Sequence, residues 1–171
     1  SSCISPAVPP RCPSGTVRSV NSRHTLLLKG ATVVATMDDA RREIADFYRD
    51  LFGWDSLDVP ILGQVGLLLR TDPDTSQFIL VTEQNKHIES PGYDHLGLLY
   101  DTRAEVDELL EKAKKWRERD PRVQIKEYED LVTGAHVTHA FYVKHLLPIW
   151  FDVQCQERTD GSKPGRAWTF A

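Results

Sequence analysis

The sequence predicts an α+β domain of two tandem βαβββ modules, forming a curved mixed sheet around a cup-shaped site with the helices outside. Three observations predict it. An order of strand, helix and three strands runs through the chain twice. Each copy holds one amphipathic helix with its own start and stop signals, flanked by short apolar or β-branched runs of strand type. At 171 residues the chain is also long enough to bury a substantial core without help from a metal or disulfides.

Residues 1–29 begin SSCISPAVPPRCPSGTVRSVNSR, rich in Ser and Pro and showing neither helical nor strand period, and read as a flexible leader. The folded part is expected over 30–156. Module one, 30–84, starts with ATVVAT, a β-branched run of strand type. In MDDARREIADFYRDLFGW, Ala40, Ile44, Phe47 and Leu51 recur at helical spacing, with Asp38 or Asp39 as the cap and Gly53 as the stop. WDSLDV, VGLLLR and QFILVTE follow as strands, separated by Pro60 with Gly63 and by the turn DPDTS. After the linker QNKHIESPG, module two, 93–156, opens with the strand DHLGLLYD. The next segment, TRAEVDELLEKAKKWRERD, places Val106, Leu109, Leu110, Ala113 and Trp116 on one helix face. Thr102 with Glu105 makes a capping box, and Asp120 with Pro121 stops the helix. VQIKEY, HVTHAFYV and IWFDVQC supply the last three strands. Residues 157–171 form a tail from which Trp168 and Phe170 can dock back onto the domain.

Composition removes several function classes. Lys and Arg number 21 against 25 Asp and Glu, a formal charge of -4, and the one basic run, KAKKWRER, is the solvated face of a helix. No nucleic-acid partner is expected. Apolar runs such as HTLLLKGATVVA are too short and too interrupted to cross a membrane, and no signal-peptide core opens the chain, so a cytoplasmic protein is expected. Cys3, Cys12 and Cys155 offer neither a disulfide framework nor zinc-type spacing, and nothing beside Cys155 activates it as a nucleophile. Phosphate-cradling glycine loops, HExxH and GxSxG are all missing from the sequence.

FYRDLFGW after a capped helix and FYVKHLLPIWFDV near the C-terminus resemble hallmark segments of the vicinal oxygen chelate superfamily, which includes glyoxalases, bleomycin-resistance proteins and extradiol dioxygenases. The resemblance spans roughly residues 30–156 and implies a metal held in the cup by His or Gln and Glu side chains from the first and last strands of the modules. His95, in DHLGLLYD, matches the first-strand histidine of module two. Asp152, in WFDVQ, falls where the last strand carries Glu. These two are the expected metal ligands. Module one departs from the pattern: aligning the copies on Asp38 and Asp101 puts Thr32 opposite His95, while aligning Ile44 with Val106 puts Val33 there. Ile79 or Leu80 takes the carboxylate position, with Glu83 three or four residues beyond.

The resemblance to extradiol dioxygenases adds His136 and Tyr142 as residues that share or move protons, because Tyr142 lies ten residues before Asp152. Strand parity keeps His136 on the Tyr142 face, turns His139 away and leaves His145 in the turn. His136 is expected as a third ligand or as an acid or base. Trp150 shares parity with Asp152 and is the expected pocket wall. His24, His87, His139 and His145 are expected to be structural or exposed, and Phe47, Phe52 and Trp54 to be packing residues. Two functions follow from the resemblance. One is an extradiol-dioxygenase-like or glyoxalase-like enzyme using Fe(II), Mn(II), Ni(II) or Zn(II). The other is a metal-free protein that binds and sequesters a small molecule, with its pocket built between two chains of a homodimer.

Overall fold

A computed structural model describes residues 24–28, 37–83 and 95–162. The ATVVAT run, the QNKHIESPG linker, and Cys3, Cys12, Thr32, Val33, His87, Trp168 and Phe170 lie outside these residues.

The apolar stripe of module one forms α1 (Met37–Phe52), burying Ala40, Ile44, Phe47, Tyr48 and Leu51. Gly53 stands just past its end at φ 73°, and its N–H donates to the Arg49 carbonyl at 2.8 Å, a left-handed close that glycine makes without steric cost. Asp38 and Asp39, expected ahead of the helix as caps, lie inside its first turn. In module two α2 (Arg103–Arg119) has the expected capping box: the Glu105 N–H donates to Thr102 Oγ1, and the Thr102 N–H donates to Glu105 Oε2 at 2.9 Å. Asp120 ends this helix in an extended conformation, its N–H donating to the Trp116 carbonyl.

Strands β1 (His24–Leu28), β2 (Asp55–Ile61), β3 (Gln64–Arg70) and β4 (Phe78–Glu83) form one sheet in the order β1-β4-β3-β2. The second sheet has the order β5-β9-β8-β6, from β5 (His95–Tyr100), β6 (Gln124–Glu127), β8 (His136–Lys144) and β9 (Trp150–Arg158). Both sheets are mixed, because β1 with β4 and β5 with β9 pair parallel while the other pairs are antiparallel.

Two elements differ from the sequence expectation. β1 falls inside the stretch read as leader, where HTLLL pairs along β4 and satisfies that strand's outer backbone groups. The short β7 (Leu131–Thr133) pairs with β8 as an exposed hairpin around Gly134, whose φ is 60°. Three residues are too few to show a period.

Each helix covers one face of its own sheet. Leu67, Leu69, Ile79 and Val81 pack toward α1, and Leu98, Phe141, Val143, Phe151, Val153 and Cys155 pack toward α2, all in one buried cluster. The residues of opposite parity therefore form an open face on each sheet. α1 also bridges the modules. Tyr48, Phe52 and Trp54 ring Phe151 at centroid distances of 5.2, 5.9 and 5.5 Å, and the Tyr48 hydroxyl donates to the His145 carbonyl at 3.0 Å. Arg122 reaches across to Glu43. A helix apolar enough to serve two modules explains why Phe47 and Tyr48 are both fully buried.

Candidate metal and ligand site

Register sets the open face of module two. His95 pairs with Trp150, Gly97 with Asp152 and Tyr142 with Asp152, so these side chains share the face away from α2. Their parity partners Leu96, Leu98, Phe151 and Val153 turn toward the helix. The strand is thus amphipathic for packing reasons, and the site consists of the half of β5, β8 and β9 that the core does not use.

At the centre is Asp152, nearly buried although it lies on the open face. His95 Nε2 stands 3.5 Å from its Oδ2, and Gln154 Nε2 donates to the same oxygen at 3.1 Å. The other oxygen, Oδ1, is buried and has no hydrogen-bond partner. Loss of water around the carboxylate raises its pKa from 3.8 to about 6, and the charge of His95 offsets part of the rise. Gly97, directly opposite, leaves the space above the carboxylate clear, since a Cβ there would meet only Gln154 Nε2, at 3.5 Å. Around this centre, Tyr142 lies 5.0 Å from the His95 ring and 5.2 Å from Tyr128. Trp150 lies under Lys126 and Lys144, whose ammonium groups are 4.3 and 5.7 Å from its ring centroid. Burial and the neighbouring Lys126 charge lower the Lys144 pKa.

The structure brings His95, Asp152, Tyr142 and Trp150 together and leaves His136 out. His136 is six residues along β8 from Tyr142 and pairs with Arg158, roughly 20 Å from Asp152 at the rise of a strand. Sharing a face does not make two residues neighbours. His139 does point away from the site, toward α2, where it sits between Asp107 and Asp130 at 2.8 Å from each. His145 is buried in the turn before β9, its Nε2 donating to Asp120 Oδ2 at 2.8 Å. Among the described residues, module one places no His or Glu on its open face, where Asp55, Gln64, Arg70 and Thr82 are the polar side chains. Ile79 faces α1, Glu83 shares its parity, and the open face carries Leu57, Val59, Leu68 and Leu80.

Among the described residues no three His, Cys, Asp or Glu side chains gather into a metal site. His95 and Asp152 nevertheless suit a divalent ion, because a buried carboxylate with one oxygen lacking a donor and the other 3.5 Å from an imidazole nitrogen offers an N and O ligand pair. Parity already placed Gln154, Lys144 and Gly97 on this face, and the sequence reading did not use them. A cleft of about 770 Å³ lies elsewhere, between Arg41 and Arg42 of α1 and Ser56, Leu57 and Asp58 of β2. No described helix is long and apolar enough to cross a membrane.

No protein-family model matches the chain, and a comparison with curated proteins gives no match. Solved structures do match. The fosfomycin resistance protein FosX from Listeria monocytogenes aligns over 81% of this chain and 93% of its own, at 17% identity and a TM-score of 0.54. A FosX variant in complex with Mn(II) and 1S,2S-dihydroxypropylphosphonic acid aligns over 81% and 92%, also at 17% identity, with a TM-score of 0.52. A hypothetical protein from S. aureus aligns over 80% and 94%, at 16% identity and a TM-score of 0.52. The paired βαβββ modules and these structural matches together identify the chain's fold as that of the vicinal oxygen chelate superfamily.

Proposed function

We propose that this protein is a metal-dependent enzyme of the vicinal oxygen chelate type, extradiol-dioxygenase-like or glyoxalase-like, acting on a small substrate. The observation that carries the reading is the buried Asp152 carboxylate, whose Oδ1 has no hydrogen-bond partner and whose Oδ2 lies 3.5 Å from His95 Nε2. An ionised carboxylate in that position is costly without a positive partner, and a divalent ion supplies one. His95 and Asp152 would hold Fe(II), Mn(II), Ni(II) or Zn(II), and the bound ion supplies Lewis-acid stabilisation of an anion with vicinal oxygens. Tyr142, tilted against the His95 ring, would hold or move a proton at its hydroxyl. Trp150 forms the wall, and the ammonium groups of Lys126 and Lys144 over it favour a substrate with an acidic group. The open face of module two has no cover from module one of the same chain among the described residues. A homodimer in which a second copy lays its module-one face over this site is part of the reading.

Anaerobic reconstitution with each of the four ions, followed by gel filtration and elemental analysis, tests the metal. About one ion per chain is expected in the wild type and a large loss in His95→Ala and Asp152→Asn. A wild-type protein that retains none of the four ions refutes the reading.

A second reading has its own support: no third His, Cys, Asp or Glu donor stands near the pair among the described residues, while Trp150 and Tyr142 line the same face. In it the protein is a metal-free small-molecule sequestering protein. Tryptophan fluorescence in the presence of a chelator, titrated with aromatic acids, tests it. Quenching that is lost in Trp150→Leu supports sequestration, and no response to any acid counts against it.

A further inference from the structure

We propose that Gln154 supplies the third protein donor to a divalent ion held by His95 and Asp152, so that one module alone provides all three ligands. The inference rests on the metal-dependent reading above and adds to it the residue that fills the place left by module one.

Gln154 follows Asp152 by two residues on β9, so both side chains leave the same face of the strand, and the amide folds back to within 3.1 Å of the carboxylate. The other neighbour of that carboxylate is His95, on the adjacent strand at 3.5 Å. An imidazole nitrogen, a carboxylate and an amide thus surround one small region, kept clear by the missing side chain of Gly97. Amide oxygens are ordinary ligands for hard divalent ions.

In the structure the amide presents its NH2 to the Asp152 carboxylate. Binding an ion requires the amide to turn over and present Oε1. The neighbouring groups allow this without leaving any of them unpaired. Gln156 Nε2 now donates to Gln154 Oε1 at 3.3 Å, and the amide of Gln156 lies against the hydroxyl of Thr138, with contacts of 2.8 Å through Nε2 and 3.1 Å through Oε1. A hydroxyl donates and accepts equally well. If Gln154 turns, Gln156 turns with it, presenting Oε1 to the new NH2 of Gln154 and keeping its own Nε2 on Thr138. The chain Asp152–Gln154–Gln156–Thr138 is therefore reversible, and its polarity follows the charge at Asp152. A structural pair of glutamines covering a strand would not need to end on a group of either polarity.

The test is Mn(II) binding to the full chain, followed by electron paramagnetic resonance of the free ion and by water-proton relaxation of the bound ion. Gln154→Leu is expected to weaken Mn(II) about tenfold or more and to raise the number of water molecules on the bound ion by one. Gln154→Glu, which keeps the shape and adds a charge, is expected to bind Mn(II) at least as tightly as the wild type, and so controls for folding. Wild-type Mn(II) binding with unchanged affinity and hydration in Gln154→Leu overturns the role of Gln154 and leaves His95 and Asp152 in place. A wild-type protein that binds no Mn(II), Fe(II), Ni(II) or Zn(II) overturns both.

Discussion

Asp152→Asn is expected to make the metal-free protein relatively more stable as pH rises, opposite to the usual effect of losing a paired carboxylate. The folded protein raises the Asp152 pKa from 3.8 to about 6 by burial, so the folded chain binds a proton there that the unfolded chain has lost. Below 3.8 both states are protonated and the group has no effect. Between 3.8 and about 6 stability falls with rising pH, and above that the full penalty applies. The interval corresponds to about 3 kcal/mol, and water on the open side of the sheet reduces it to roughly 1–2 kcal/mol. Asparagine keeps the acceptor for the Gln154 amide and removes the charge. Its own buried NH2 carries a penalty that does not change with pH, so it cancels when two pH values are compared. Urea unfolding of wild type and variant in chelator, at about pH 4.5 and about pH 8, measures the difference. The variant should gain roughly 1–2 kcal/mol on the wild type between the two conditions. A difference that stays constant with pH, or moves in favour of the wild type, refutes the assignment of Asp152 as a buried, unsatisfied charge.

Three further outcomes test the frame that holds the site. Phe151→Ala removes the ring that Tyr48, Phe52 and Trp54 surround, and urea unfolding should show a loss of about 3–5 kcal/mol, the range for a fully buried phenylalanine; a loss under about 1 kcal/mol would mean that α1 does not dock there. Thr102→Ala breaks the capping box of α2 and is expected to cost about 1 kcal/mol by the same assay, with Thr102→Ser recovering most of it. Burial lowers the His145 pKa from 6.5 despite its bond to Asp120, so the native state resists protonation that the unfolded chain accepts. Stability from this group is complete above 6.5 and is lost as pH falls below it toward the lower folded value, and an imidazole NMR titration of His145 with an inflection at or above 6.5 would contradict this.

Much of the fold was legible because its signals are local and repeated. The α2 capping box, the glycine that closes α1 and the alternation of β8 and β9 each depend on a few adjacent residues, and each reappears in the structure. Two features depended on distant partners. HTLLL at 24–28 has little periodicity of its own and becomes β1 by pairing with β4, more than fifty residues away in sequence. His145 sits in a turn that looks exposed in sequence, and it is buried because Phe47 of α1 and Asp120 at the end of α2 both converge on it.

The site shows how far parity alone can reach. Parity correctly separated His139 from Tyr142, because facing is fixed within a single strand. It was insufficient for His136, which shares the face of Tyr142 but pairs with Arg158 at the far end of β8. Facing requires only the strand, whereas proximity requires the register between strands, which here places Gly97 against Asp152 and His95 diagonally beside it. The same parity placed Gln154 next to Asp152, and a search restricted to His and carboxylate ligands passed over it. Amides rarely announce themselves as ligands in a sequence because glutamine is an ordinary surface residue on strands and helices alike. Once Asp152 is known to be buried with an unpaired oxygen, the amide two residues later becomes the polar group best placed to share the charge that Asp152 needs.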